Sequence, residues 1–100
     1  MSFASDVKAK TVTATGDAVN GRTRVQGIYY TCGSTAAAIT LKTGGSSGTV
    51  IMEVKTPAAA GAYDIIIPDD GILAVDGVHV TFSSAEVLSA TVLYVGGAPA

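Results

Sequence analysis

Few side chains in this sequence have the chemistry that catalysis or metal binding requires. The chain has one His, His79, and one Cys, Cys32. A Cys–His pair can act as nucleophile and base, but no third residue that would orient such a pair is identifiable. For a metal site His79 has only Asp76 close by in sequence, which is too few ligands for zinc. Because His79 stands between two valines, alternation predicts that it projects to solvent or to a neighbouring subunit.

Cys32 has no partner cysteine, so an intrachain disulfide is excluded. The redox compartment is therefore left open. Free cysteine behaves as a small apolar side chain, and we expect Cys32 to be buried.

Four aspartates form the only acidic cluster of the sequence, namely Asp64, Asp69, Asp70 and Asp76. Their spacing matches no standard calcium loop, and adjacent carboxylates do not suit a glycosidase pair. The stretch from Pro68 to Gly71 has the residue order of a type I turn. Turn formation is therefore the predicted role of these aspartates. The sequence predicts no catalytic residue, no metal and no cofactor, and hence a protein that is not an enzyme.

Composition favours a single small domain that associates with other subunits. Of the 100 residues, 48% are hydrophobic and only 14% are charged, with a formal net charge of −2. Soluble domains usually have about 25% charged residues, and interface cores are depleted in charge. We therefore expect a homo-oligomer or a subunit of a larger assembly.

Several partner classes are not expected from the sequence. No dense basic patch indicates nucleic-acid binding, and no apolar run approaches the ~20 residues of a membrane-spanning helix. The first residues lack the basic and apolar regions of a signal peptide, so secretion by the standard route is not expected.

Short alternating runs rich in β-branched residues recur from Val25 to Val95, each closed by a Gly-, Ser- or Pro-rich turn. No amphipathic segment is long enough for the crossover that parallel strands need. The pattern predicts an all-β fold, a single antiparallel β-sandwich of about seven to eight strands with a jelly-roll-like arrangement.

Local signals predict the boundaries of this domain. Residues 1–21 are expected to form an N-terminal arm or edge strand, with a loop over residues 16–21. Residues 22–96 form the sandwich, and residues 97–100 a C-terminal tail. Gly27 predicts a β-bulge, residues 44–48 a hairpin loop, and Asp76-Gly77 a tight hairpin turn.

Basic and aromatic residues are the candidates for an interaction surface. Lysines and arginines two positions apart share a strand face and would give a local positive edge, and exposed tyrosines suit stacking or subunit contact. Tyr30 and Tyr94 are expected in the core or at an interface. The candidate interface residues are Phe3, Lys8, Lys10, Arg22, Arg24, Tyr29 and Tyr63.

Four segments in succession carry a resemblance to a known class of proteins. They are residues 24–30 (RVQGIYY), 38–45 (AITLKTGG), 56–61 (TPAAAG) and 67–72 (IPDDGI). This succession resembles the small all-β virion proteins of tailed bacteriophages. The resemblance implies a non-enzymatic capsid decoration or cement subunit that oligomerises and binds the major capsid protein or other virion proteins. It also implies a place on the capsid surface after assembly in the host cytoplasm.

The main alternative is a tail-associated or surface module that binds carbohydrate through Tyr29 or Tyr63 and nearby loops. Sugar-binding modules usually display Trp or several coplanar aromatic rings, and the chain has no Trp. A small hydrolase is the least favoured alternative, because no nucleophile, base and orienting group can be named together.

Overall fold

The computed structural model describes residues 7–68 and 71–100, and its regular structure is entirely β-strand. Phe3, Asp69 and Asp70 therefore lie outside the described residues. The strands are β1 (Lys8–Val12), β2 (Gly16–Cys32), β3 (Ala38–Thr43), β4 (Thr49–Lys55), β5 (Gly61–Ile66), β6 (Ile72–Ala74), β7 (Val78–Phe82) and β8 (Val87–Pro99). All pairings between them are antiparallel, so the predicted all-β antiparallel class is confirmed.

The 17-residue strand β2 organises the sheet. Along one edge it pairs with β8 for nearly its whole length. Along the other edge it pairs in turn with β7 near its start, β6 in its middle and β5 at its end. Strand β1 extends the sheet beyond β8, and β3 and β4 extend it beyond β7.

The predicted loop over residues 16–21 is wrong, because β2 already begins at Gly16. Ala18 and Val19 are buried in the core. The β2–β7 pairing shifts register between Asp17 and Val19, and the β2–β8 pairing shifts between Asn20 and Thr23. Gly21, within the second shift, has a φ of 85°. Glycine and asparagine here allow irregular pairing within a strand rather than a chain reversal. Strand β2 thus continues without a break through residues 21 and 22, and β8 extends into the last residues.

The strands form two layers around one core. All eight strands belong to one hydrogen-bonded sheet. We call its part formed by β1, β8, β2, β5 and β6 the major layer and its part formed by β7, β3 and β4 the minor layer. Alternate residues of both layers meet in a single apolar cluster, as period-2 patterning requires. The fold is therefore sandwich-like, as the sequence predicted. A jelly-roll order was also expected, and the observed pairings do not establish it.

Two of the predicted turn features are confirmed. Residues 44–48 connect β3 to β4, and the Gly48 N–H donates to the Gly45 carbonyl at 3.0 Å. The β2–β8 register shifts between Val25 and Gly27, as expected for a bulge. A Cβ on Gly27 would lie 2.8 Å from the Ile65 carbonyl oxygen, so the close β2–β5 approach requires glycine.

The predicted hairpin at Asp76-Gly77 is wrong. Strands β6 and β7 do not pair with each other as a hairpin, since both pair with β2 at successive positions along the same edge. Gly77 has a φ of 79°, and its backbone lies against the Val19 carbonyl, where a Cβ would approach to 2.5 Å. Asp76 and Gly77 therefore connect β6 to β7, which pair with successive parts of the same edge of β2, rather than closing a hairpin.

Candidate interaction surface

The side of the major layer that faces away from the core is the most distinctive surface of the described residues. We call it the outer face and define it by the strand register. Its members from β1, β8, β2 and β5 are Ala9, Thr11, Ser89, Thr91, Leu93, Val95, Arg24, Gly27, Tyr29, Thr31, Ala62, Asp64 and Ile66. Each alternates along its strand with residues that point towards the core.

The outer face is mainly apolar or hydroxyl-bearing, and the charged residues that the register places on it are Arg24 and Asp64. Ile66 is 67% exposed and Tyr29 45% exposed, and large hydrophobic residues are also exposed elsewhere, at Val50, Val75 and Leu88. The hydroxyls of this face largely satisfy one another. Thr11 Oγ1 and Thr91 Oγ1 are 2.7 Å apart, and so are Thr31 Oγ1 and Ser89 Oγ.

The corresponding side of the minor layer has the opposite character. Register places Thr40, Lys42, Glu53, Lys55, His79 and Thr81 there. Lys55 Nζ and Glu53 Oε1 form an ion pair at 3.2 Å. The two sides of the sandwich therefore differ in charge. Burial of the outer face of the major layer would cost less free energy, because fewer charged side chains would lose their contact with water.

The expectation that His79 projects to solvent is wrong. His79 does lie opposite its two valine neighbours, but it is only 7% exposed. Its Nδ1 lies 2.9 Å from Asp17 Oδ1 on β2, its register neighbour. Its Nε2 is buried with no hydrogen-bond partner among the described residues. Asp17 thus fixes the orientation of the His79 ring. The sequence did not predict this role, because residue 17 lies in a stretch whose composition is typical of a turn.

No cluster suited to a metal ion occurs within residues 7–68 and 71–100, where no three His, Cys, Asp or Glu side chains come together. Asp76 is not a hydrogen-bond partner of His79, whose Nδ1 faces Asp17 and whose Nε2 has no partner among the described residues. The Gly71 N–H donates to the Pro68 carbonyl at 3.2 Å, and the predicted turn residues Asp69 and Asp70 between them lie outside the described residues.

Tyr63 belongs to a buried tyrosine cluster rather than to an exposed platform. Its ring stacks on Tyr30 with centroids 5.6 Å apart, and its hydroxyl donates to the Ala59 carbonyl at 2.9 Å. Cys32 is buried beside them as predicted, with Sγ 3.6 Å from the same carbonyl. Burial raises the pKa of the Tyr30 hydroxyl above its ordinary value, and Cys32 and then Tyr63 add to the shift.

Tyr29 and Tyr63 lie on opposite sides of the major layer. Tyr29 pairs with Asp64, whereas Tyr63 pairs with Tyr30, whose side chain is in the core. The two candidate aromatic residues therefore cannot form a shared stacking platform for one sugar.

The candidate basic residues are divided between the two sides of the major layer. Lys8 and Lys10 pair with Tyr94 and Val92, so they point towards the core side at the sheet edge. Lys8 Nζ lies 5.7 Å from the Tyr94 ring centroid and donates to the Gly97 carbonyl at 3.2 Å. Arg24 pairs with Val95 and points the other way.

Arg22 is exposed and falls within a register shift of β2. Strand β8 separates β1 from β2 throughout. The four cations therefore do not meet on one face.

An open depression of about 360 Å³ lies at one end of the sandwich. Its lining contains no titratable side chain and consists of Thr13, Ala14, Thr15, Phe82, Ser84, Ala85, Val87 and Leu88. Acid–base chemistry needs titratable groups within reach of the substrate, so this depression does not have the composition of an active site.

Asp64 and Ile66 were not among the predicted surface residues. Strict alternation over Ala62, Asp64 and Ile66 was the available signal, but Asp64 was grouped with the aspartates predicted to form turns.

Among the described residues no helix has the length and hydropathy of a membrane span. Comparisons with protein-family models, with curated proteins and with solved structures found no match to this chain.

Proposed function

We propose that this chain is a non-enzymatic structural subunit of a virion, a decoration or cement protein whose outer face contacts the major capsid protein lattice. The outer face of the major layer is the observation that carries the proposal. It presents Ile66 and Tyr29 to solvent, and the charged side chains that the register places on it are Arg24 and Asp64.

The hydroxyl pairs on this face support its burial against protein. Covering a polar group that has no partner costs free energy, whereas a group already hydrogen-bonded within its own surface loses little. Thr11 with Thr91 and Thr31 with Ser89 are such groups. A protein surface is the matching partner, because nucleic acid requires a dense cluster of cations, whereas the register places Arg24 on this face and Lys8 and Lys10 on the core-facing side.

The virion context comes from the resemblance of residues 24–30, 38–45, 56–61 and 67–72 to small virion proteins of tailed phages. A lattice offers many equivalent sites, so a subunit that oligomerises gains avidity from several weak contacts. This arrangement agrees with the low charged fraction of 14%.

The test is light scattering coupled to size exclusion, first on the protein alone and then after mixing with expanded capsid shells of its own virion that lack accessory proteins. We expect an oligomer alone and co-migration with shells at a fixed stoichiometry that saturates. Shells that migrate without bound protein at any ratio would refute the proposal.

A further inference from the structure

Strand β5 has a free edge that the rest of the described fold leaves unpaired. β2 is the one strand with which β5 pairs, and no described backbone hydrogen bond reaches the opposite edge of residues 61–66. Gly61, Ala62, Asp64 and Ile66 are all exposed. A free edge presents a row of N–H and C=O groups that another strand can pair with.

The other free edges carry features that oppose such pairing. Edge strand β1 carries Lys8 and Lys10 on its core-facing side, and inward-pointing charges on an edge strand block addition of another strand. Edge strand β4 has a register shift opposite Leu41 and Lys42 and carries the charged residues Glu53 and Lys55. Strand β6 has only three residues.

Strand β5 has no core-facing charge and no register shift, and Asp64 is its one charged residue. Its six residues pair with β2 without a register shift and contain no lysine, arginine or proline. Ile66 at its end is 67% exposed. We propose that β5 accepts an extended segment of a partner polypeptide as an additional antiparallel strand of the major layer.

Asp64 defines the chemistry of that partner. It is the single charge on the outward side of β5, and a cross-strand neighbour of opposite charge stabilises a pair while a like charge destabilises it. The partner strand carries a lysine or arginine opposite Asp64 and apolar residues beside Ile66. This partner chemistry does not require that the partner be a capsid protein.

A second copy of this chain fits the edge poorly. Two antiparallel registers of two β5 strands keep both cores on the same side and pair five residues each. One sets Asp64 directly opposite Asp64, and the other sets it opposite Ala62 with the two carboxylates on diagonal positions about 7–8 Å apart, so like charges are neighbours in both. Pairing with β1 of a second copy in the same orientation sets Lys8 and Lys10 beside Tyr63 and Ile65, which are partly buried against the core.

The experiment uses two blocked peptides of about seven residues, long enough to span β5. Both alternate valine and threonine, and the central outward residue is lysine in one and glutamate in the other. We expect the lysine peptide to bind about fivefold more tightly than the glutamate peptide. Hydrogen exchange should slow at β5 amides in the complex. In Asp64→Lys the preference should reverse, whereas Glu53→Lys on the edge strand β4 should leave it unchanged.

A third peptide, methylated at the amide nitrogens that face β5, should lose binding because it cannot complete the ladder. The proposal is overturned by equal affinity of the charged peptides, by protection at β1 or β4 instead of β5, or by no binding at about 1 mM. It is also overturned if β5 amides are protected in a peptide-free dimer, since the occupant is then a second copy. Capsid shells play no part in this test, so its failure leaves the proposed function standing.

Discussion

Tyr94 is fully buried, and its hydroxyl has no hydrogen-bond partner among the described residues. A buried polar group left without a partner costs about 1–3 kcal/mol. We therefore expect Tyr94→Phe to stabilise the protein by about 1 kcal/mol, which raises the Tm of a domain of this size by about 4–8 °C.

Differential scanning calorimetry measures this shift. Tyr63→Phe is the matched control, because it removes a hydroxyl that donates to the Ala59 carbonyl, and it should lower the Tm. A lower Tm for Tyr94→Phe would mean that this hydroxyl has a partner in solution.

Tyr30 contributes stability that is lost at alkaline pH. Its pKa in the folded state is raised above 10.0, first by burial and then by Cys32 and Tyr63. Below about pH 10 the tyrosine is protonated in both states. As pH rises further, the unfolded chain releases this proton first, so stability falls as pH passes through the folded pKa.

Urea unfolding at neutral pH and at about pH 11 measures the effect. Tyr30→Phe should lose less stability over this interval than the wild type, while Tyr29→Phe, at an exposed position, should lose as much as the wild type. Equal losses for wild type and Tyr30→Phe would contradict the burial of that hydroxyl.

The Asp17–His79 contact joins the start of β2 to β7. Asp17→Ala leaves both ring nitrogens of a buried histidine without a partner in the described fold, so we expect a loss of about 1 kcal/mol in unfolding free energy. Glu53→Ala, which breaks the solvent-exposed pair with Lys55, should cost less than about 0.5 kcal/mol. Chemical denaturation of both variants tests the comparison, and equal losses would contradict the structural role of Asp17.

At the scale of elements, residues 8–21 contribute strand β1 and the start of β2 to the sandwich. β1 covers the edge of β8, and the start of β2 places Ala18 and Val19 in the core. Deletion of residues 1–21 should therefore abolish cooperative thermal unfolding, because the core loses two buried side chains and β7 loses its pairing to β2. Circular dichroism measures this loss.

Deletion of residues 1–6 is the control, since it removes none of the described strands. A folded, monomeric product after deletion of residues 1–21 would instead support a detachable arm.

Elements with strong alternation could be predicted from the sequence, whereas pairings distant in sequence could not. The hairpin of β3 and β4 follows from local turn chemistry, as does the bulge at Gly27. The start of β2 could not be predicted, because a glycine- and asparagine-containing segment has loop propensity until burial of Ala18 and Val19 overrides it. The succession of β5, β6 and β7 along one edge of β2 likewise depends on contacts that no local pattern encodes.

The candidate surface could be predicted only in part. Cys32 was expected to be buried and Tyr30 to lie in the core or at an interface, and both are buried. His79 could not be predicted, since its burial depends on Asp17 from a strand far away in sequence. The separation of Tyr29 from Tyr63 depends on the β2–β5 register, which sequence does not specify.

At the scale of the whole molecule, the two sides of the sandwich differ in their number of charged side chains. The outward side of the minor layer carries Lys42, Glu53 and Lys55, and the larger outer face of the major layer carries Arg24 and Asp64. Charged side chains keep a surface in water, while a face of paired hydroxyls and apolar groups is suited to contact with protein. The central claim is that the outer face is the surface that binds in the assembly.

Titration of capsid shells with three proteins, the wild type, Tyr29→Lys and Thr81→Lys, tests this claim most directly. Tyr29→Lys adds a lysine to the outer face of the major layer. Thr81→Lys adds a lysine to the outward side of the minor layer. With folding of each verified by circular dichroism, we predict that Tyr29→Lys weakens shell binding at least about tenfold, while Thr81→Lys binds as the wild type does. Undiminished binding of Tyr29→Lys together with loss of binding in Thr81→Lys would contradict the account and assign the contact to the minor layer.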